Sequence, residues 1–259
     1  MKITKIKILK NKVNIYIDDE KLELDKDVYP NFYLYEGKEL TKKEYQSIKE
    51  YNQIASLMKY ALALRSKAIY SEYKMREKLY NKGGDKKAVD TIIKRMKEYD
   101  LIDDNAFILE HIEYYNSLNY GKNKIISKLS SKGIFEERLN KISFPVSTEK
   151  KKAKAIFKRL EKKYSKYNFA QKKQHIYNAY ISSGFDSDIA KFVVDSMLEE
   201  KDEKEELKKL KDAYLKTKMR LSKKYAKKEL KQKVIQSLLQ KGYRMNDIIK
   251  IIEKDNLWN

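Results

Sequence analysis

The chain has 259 residues, enough for one large domain or two ordinary ones. Its 41% hydrophobic content can build a core, while 37% charged residues with only 7 Gly and 2 Pro argue for helical structure rather than a loop-rich β fold. A net charge of +21 biases its partners toward polyanions, and the absence of Cys excludes disulfides, thiolate metal sites and cysteine nucleophiles.

The first forty residues alternate. Ile6 and Ile8 face opposite to Lys5 and Lys7, then Val13, Ile15 and Ile17 repeat the pattern, then Leu22 and Leu24. Turns are expected at Asn11 and at Asp18–Asp19–Glu20. This predicts a half-buried antiparallel meander of three strands over 1–40, too small to be stable unless it packs on something else. MKITKIKILKNK at the start lacks the apolar run of a signal peptide, and nothing in the chain approaches the roughly 20 apolar residues that cross a bilayer. A soluble, cytoplasmic protein is expected.

Beyond Pro30 and Gly37 the period becomes helical. Thr41 and Glu44 have capping-box spacing, which predicts a helix to about Lys67. Ser71 can cap 72–82, Asp85 can cap 86–99, and Asp103 or Asp104 can cap a helix reaching Leu118. Four of the seven glycines then mark a repeat: Gly83, Gly133, Gly184 and Gly242. Four positions before each stands a large residue, Leu79, Leu129, Tyr180 or Leu238. After each comes an apolar face: Val89/Ile92/Ile93/Met96, Leu139/Ile142, Ile189/Val193/Val194 and Ile248/Ile249/Ile252. A glycine that closes a helix in the left-handed region explains the pattern. The reading is a three-helix unit with the glycine between its first two helices, repeated over 41–145 and again over a strongly basic 146–259. Such units stack into quasi-linear arrays.

The charge grows along the chain, with a net of +1 over 1–45, +6 over 46–145 and +14 over 146–259. Lysine-rich solvated helix faces are the plain explanation. Three basic ridges point further. Over 149–165, Ile156, Leu160 and Tyr164 form an inward stripe, and Lys151, Lys154, Lys158 and Lys162 share another face. Leu207, Leu210, Tyr214 and Leu221 form a later stripe, with Lys209, Lys216 and Arg220 off it. Lys224, Lys227, Lys228 and Lys231 then form a ridge opposite Leu230, Val234 and Leu238. Such ridges suit phosphate contacts without sequence preference. Tyr80, Tyr114, Tyr115 and Tyr120 could stack on bases, although tyrosines at helical spacing more often fill cores.

The signs of catalysis are poor. The acid pair in YDLIDDNAF is explained by capping, and no further metal ligand stands at matched spacing. Around NYGKNK (119–124), Asn116 and Asn123 stand where a phosphate-binding loop needs Gly and Ser or Thr. His111 and His175 are isolated, and no nucleophile elbow occurs. Neither an enzyme nor a cofactor is expected.

Three segments together carry a family resemblance. ALALRSKAIYSEYKMREKLYNKGGD (61–85), MKEYDLIDDNAF (96–107) and NYGKNKIISKLSSKGI (119–134) resemble the RecX family of recombination regulators. Tyr70 and Lys74 depart from its usual arginine and glutamate, and beyond residue 146 only the repeat spacing matches. The resemblance implies a mainly α protein, tandem three-helix repeats in an elongated curved array, in the longer form with an N-terminal β extension. It also implies a monomer that binds the RecA–DNA filament and suppresses recombinase and ATPase activity in recombination, repair and the SOS response. Single-stranded DNA is the nucleic-acid partner, double-stranded DNA a further one. Lys122, Lys124 and Lys128 of the third segment join the lysine ridges as candidate contacts. An autonomous single-strand binder and a purely protein-binding scaffold are the alternatives.

Overall fold

The computed structural model describes residues 1–18, 20–198 and 202–255. Three strands, β1 (Ile3–Ile8), β2 (Lys12–Ile17) and β3 (Glu20–Asp25), form an antiparallel sheet in that order. Ile6 pairs with Ile15 and Ile15 with Leu22, so the alternating apolar residues share one face. A register shift between Ile3 and Lys5 bulges β1, and Ile8 at its end is 60% exposed instead of buried. Asp19, expected in the second turn, lies outside the described residues.

The meander finds its support on α1 (Lys42–Arg65). Ile3, Val13, Ile15, Leu24 and Ile48 of that helix form one cluster. Asn52 of α1 both donates to the Glu23 carbonyl (2.9 Å) and accepts from the Asp25 N–H (2.7 Å), which holds the β3 edge. Thr41 and Glu44 close the expected capping box. The helices that follow are α2 (Glu72–Asn81), α3 (Lys86–Glu98), α4 (Asp104–Ser117), α5 (Lys122–Ser130), α6 (Glu136–Leu139), α7 (Val146–Lys163), α8 (Phe169–Ser182), α9 (Ser187–Met197), α10 (Glu203–Ser222), α11 (Lys227–Gln240) and α12 (Met245–Glu253). None of them is long and apolar enough to cross a membrane. The chain separates into two compact units, residues 1–111 with 129–140 and residues 112–128 with 141–259.

All four repeat glycines have positive φ, from 82° to 94°. The N–H one residue beyond each glycine reaches back to the carbonyl of the large residue four positions before it: Gly84 to Leu79 (3.0 Å), Ile134 to Leu129 (3.1 Å), Phe185 to Tyr180 (3.1 Å) and Tyr243 to Leu238 (3.2 Å). This is the Schellman closure, and the four acceptor residues are fully buried. Grouping differs from expectation. The hydrophobic clusters join α1 with α2 and α3, α7 with α8 and α9, and α10 with α11 and α12. Each triplet therefore opens with a long helix, and its glycine separates the second and third helices, not the first two. Alternation along a single helix cannot reveal which neighbour it packs against. In the last triplet Ile251, 8% exposed, replaces Ile249, 37% exposed, on the inward face. Ile142 lies past the single turn of α6.

Successive triplets are fastened by one joint, seen three times. The first N–H of the second helix donates to a carboxylate in the first turn of the next triplet's long helix. Glu72 N–H reaches Asp104 (2.8 Å), Lys122 N–H reaches Glu149 (3.0 Å) and Phe169 N–H reaches Glu206 (2.8 Å). Helix starts leave such donors unpaired, and their partial positive charge favours an anion. The residue before that N–H meets the carbonyl preceding the next triplet's repeat glycine. Ser71 Oγ donates to Lys132 O (2.5 Å), Gly121 N–H to Ser183 O (2.9 Å) and Asn168 Nδ2 to Lys241 O (2.6 Å). At Gly121 the approach is so close that a Cβ would stand 2.3 Å from the Gly184 carbonyl. Asp103 caps α4 through the Asn105 N–H (2.7 Å), but Asp104 caps α2 and pairs with Arg138 (3.3 Å), so capping of α4 accounts for only one of the two acids.

Candidate nucleic-acid interface

Every candidate basic residue falls in the second unit. On α7 the inward stripe is Ala153, Ile156, Phe157 and Leu160, so helical geometry turns Lys151, Lys154, Lys158 and Lys162 to solvent as expected. Lys154 and the neighbouring Lys150 also stand over the ring of the half-exposed Phe192, at 5.5 and 4.1 Å. Four exposed ammonium groups thus recur along one face of the helix, a spacing that suits repeated contacts to an anionic chain.

The same helix carries a pair that charge periodicity misses. Glu149 and Lys152 are 4% and 6% exposed. Their ion pair (2.5 Å) is completed by Lys152 donating to Asn116 Oδ1 (2.8 Å) and to the Tyr120 carbonyl (2.7 Å). The signal was available in the spacing, because 149, 152, 156 and 160 follow the apolar stripe. Lys152 is a structural cation, and it is not offered to a ligand.

On α5 the three candidates have different surroundings. Lys122 is paired with Asp186 (2.6 Å), which also accepts from Asn123 Nδ2 (2.9 Å). Burial raises the Asp186 pKa, but the hydrogen bonds from Lys122 and Asn123 outweigh it and hold the carboxyl below its ordinary range. Lys124 lies 4.1 Å over the Tyr120 ring, and Lys128 spans Tyr115 and Tyr120 at 5.5 and 5.8 Å. Tyr115 is buried and Tyr120 half-buried, whereas Tyr80 and Tyr114 are exposed at 44% and 58%. Tyr120 has counterparts in Tyr70, Tyr167 and Tyr225, each half-buried just before a second helix. Tyr70 and Tyr225 pack on their triplets' cores, the position of a hydrophobic staple.

The last triplet holds the remaining candidates. Lys209 is tied to Glu205 (2.8 Å), and Leu207, expected inward, is 44% exposed. Lys216 and Arg220 are exposed one turn apart on α10. Lys224 is not part of a four-lysine helix ridge: α10 ends at Ser222 and α11 begins at Lys227, which leaves Lys224 in the turn. Lys227, Lys228 and Lys231 remain on one exposed face of α11, opposite the buried Leu230, Val234 and Leu238. A turn of four residues between two lysine-rich helices leaves the charge pattern unbroken, so periodicity could not locate it.

Among the described residues no group of three His, Asp or Glu could hold a metal ion. His111 stacks on Phe107 (3.9 Å) with Nδ1 2.9 Å from its carbonyl, and burial lowers its pKa. His175 stacks among Tyr164 and Tyr167. Both histidines are packing residues.

No family model matches the chain. Regulatory protein RecX of Listeria monocytogenes serotype 4b (strain F2365) is 29% identical over 272 aligned positions, covering 99% of this chain and 98% of the relative. Regulatory protein RecX of Lactococcus lactis subsp. lactis (strain IL1403) is 30% identical and is matched over 95% of both chains. Among solved structures, a crystal structure of regulatory protein RecX superposes with a TM-score of 0.59 at 24% identity, covering 75% of this chain and 99% of the other. RecX from Lactobacillus salivarius gives 0.52 at 20% identity, covering 56% and 96%. The helical fold agrees with those structures, and 30% identity sustained over 95% of both chains shows that this chain belongs to the RecX family.

Proposed function

We propose that this protein is a non-enzymatic regulator that binds the filament of a RecA-type recombinase on DNA and lowers its ATPase and recombinase activity. The observation that carries the reading is its relationship, over nearly its whole length, to proteins named regulatory protein RecX. One feature of the molecule supports it. The exposed lysine faces of α7 and α11 suit phosphates met without regard to sequence. Contacts of this kind are individually weak and gain affinity by acting together along one polyanion.

The test is single-strand-dependent ATP hydrolysis by a RecA-type recombinase, with DNA fixed and salt near physiological. Added protein is expected to lower the rate, and the stoichiometry separates capping of filament ends from coating. The triple replacement Lys227→Glu, Lys228→Glu and Lys231→Glu should weaken binding and leave the helical circular dichroism intact. Its salt slope on single-stranded DNA should fall by about 2, from roughly 0.7 per lost phosphate contact. A flat ATPase rate together with no filament binding would refute the reading. Tight, salt-sensitive binding to DNA alone, with no effect on a recombinase, would point instead to an autonomous single-strand binder.

A further inference from the structure

The last triplet contains a cluster of three cations, of which charge periodicity marks Lys216 and Arg220 but not Lys241. Lys241 precedes the repeat glycine Gly242, and its ammonium turns onto α10, where Nζ lies 3.2 Å from Thr217 Oγ1. Thr217 is 2% exposed, so the amine rests on the body of the helix and does not trail into solvent. Lys216 and Arg220 lie beside and one turn beyond Thr217 on α10, and both are exposed. None of the three has an ion-pair partner among the described residues. Their nearest acid along α10 is Asp212, one turn before Lys216. Burial lowers the Lys241 pKa, and the charges of Arg220 and Lys216 lower it further.

We infer that Lys216, Arg220 and Lys241 form a phosphate-binding site for the backbone of a DNA strand. The inference rests on the proposed regulatory reading and names the residues at which the DNA of the filament is held. Three like charges held together repel one another, and an anion among them removes that repulsion. A guanidinium and two ammonium groups supply the fork and point donors that phosphate oxygens accept. A single carboxylate would leave most of the charge unneutralised, whereas a phosphodiester chain brings one charge per nucleotide. Residues 202–255 carry 17 basic and 9 acidic side chains, so the surrounding field favours a strand over an isolated anion. The backbone of Lys241 is already fixed by the joint, through its carbonyl and Asn168 (2.6 Å). Its side chain is therefore presented from a pinned position.

Lysine acetylation of the full-length protein, with and without an oligothymidylate, tests the site. Lys241 and Lys216 should be protected several-fold by the oligonucleotide. The double variant Arg220→Gln/Lys241→Gln should lower the salt slope of oligonucleotide binding by about 1.4, at roughly 0.7 per contact. Lys241→Arg, which keeps the charge, should restore most of the slope when made alone. Unchanged circular dichroism and melting temperature of each variant exclude misfolding as the cause. If the oligonucleotide binds with an unaltered slope and Lys241 is acetylated at the same rate, the site is wrong and the regulatory reading stands. If the oligonucleotide does not bind at all, the site is also wrong. The recombinase ATPase measured on the same preparation then shows whether regulation falls with it.

Discussion

Lys152→Met is the most demanding test of the packing between triplets. The substitution keeps most of the side chain's length and removes the charge from a site where Glu149 and Lys152 are 4% and 6% exposed. Glu149 would keep one donor, the Lys122 N–H at 3.0 Å, while Asn116 Oδ1 and the Tyr120 carbonyl would lose the ammonium that serves both. Removing one member of a buried ion pair costs about 3–5 kcal/mol, because the remaining charge is stranded in a poorly polarisable surrounding. With a urea m-value of about 2 kcal/mol/M, a loss of about 3 kcal/mol lowers the unfolding midpoint by about 1.5 M. Circular dichroism follows it directly. The double variant Glu149→Gln/Lys152→Met removes both charges and should recover at least 2 kcal/mol of the loss, which a double-mutant cycle reports as coupling. A single variant within about 1 kcal/mol of the parent, or a double variant no better than the single, would refute the claim that this buried pair fastens α7 to the start of α5.

Three further outcomes follow from the joint and its glycines. Gly184→Ala places a Cβ 2.4 Å from Lys124 and demands φ of 87°, whereas Gly37→Ala at φ 93° meets nothing within 4 Å. Urea titration should show about 1 kcal/mol lost at Gly37 and at least 2 kcal/mol at Gly184, and equal losses would contradict the close approach. Ser71→Ala loses the cap on Lys74 N–H and strands the Lys132 carbonyl, and should cost about 1–2 kcal/mol in the same assay. Asp186 has a folded pKa below its ordinary 3.8, so its contribution is present above that value and lost as pH falls through the folded one. Asp186→Asn should flatten the decline of the urea midpoint on the acid side, and an unchanged decline would remove this carboxylate from the account.

Local features were legible in the sequence because their causes are local. Thr41, Ser71 and Asp85 cap the helices assigned to them, and the residue four before each repeat glycine is the buried acceptor of the closing hydrogen bond. What escaped depends on partners far along the chain. Sequence position makes Asp103 and Asp104 equal candidates to cap their own helix, whereas the N–H that Asp104 accepts from is 32 residues away. Spacing alone groups the triplets one helix out of step, because the hydrophobic face of α1 does not announce that it meets α3. Lysine spacing continues through the turn that holds Lys224, so spacing alone extends the helix across it. Lys241 carries no signal in the sequence, because it belongs to none of the lysine ridges that helical spacing marks. Its ammonium is placed by Thr217, 24 residues earlier.

The joint also gives the chain a direction. Each second helix presents donors, and each following triplet presents the carboxylate and the carbonyl that receive them. The two halves of the fastening are thus made by different links and never by the same one. A link cut out in register, from one repeat glycine to the next, would rejoin donors to acceptors of the same kind. A cut of any other length would separate each donor from its acceptor. Length is therefore a quantity this architecture can change by whole links while every contact within a link is preserved.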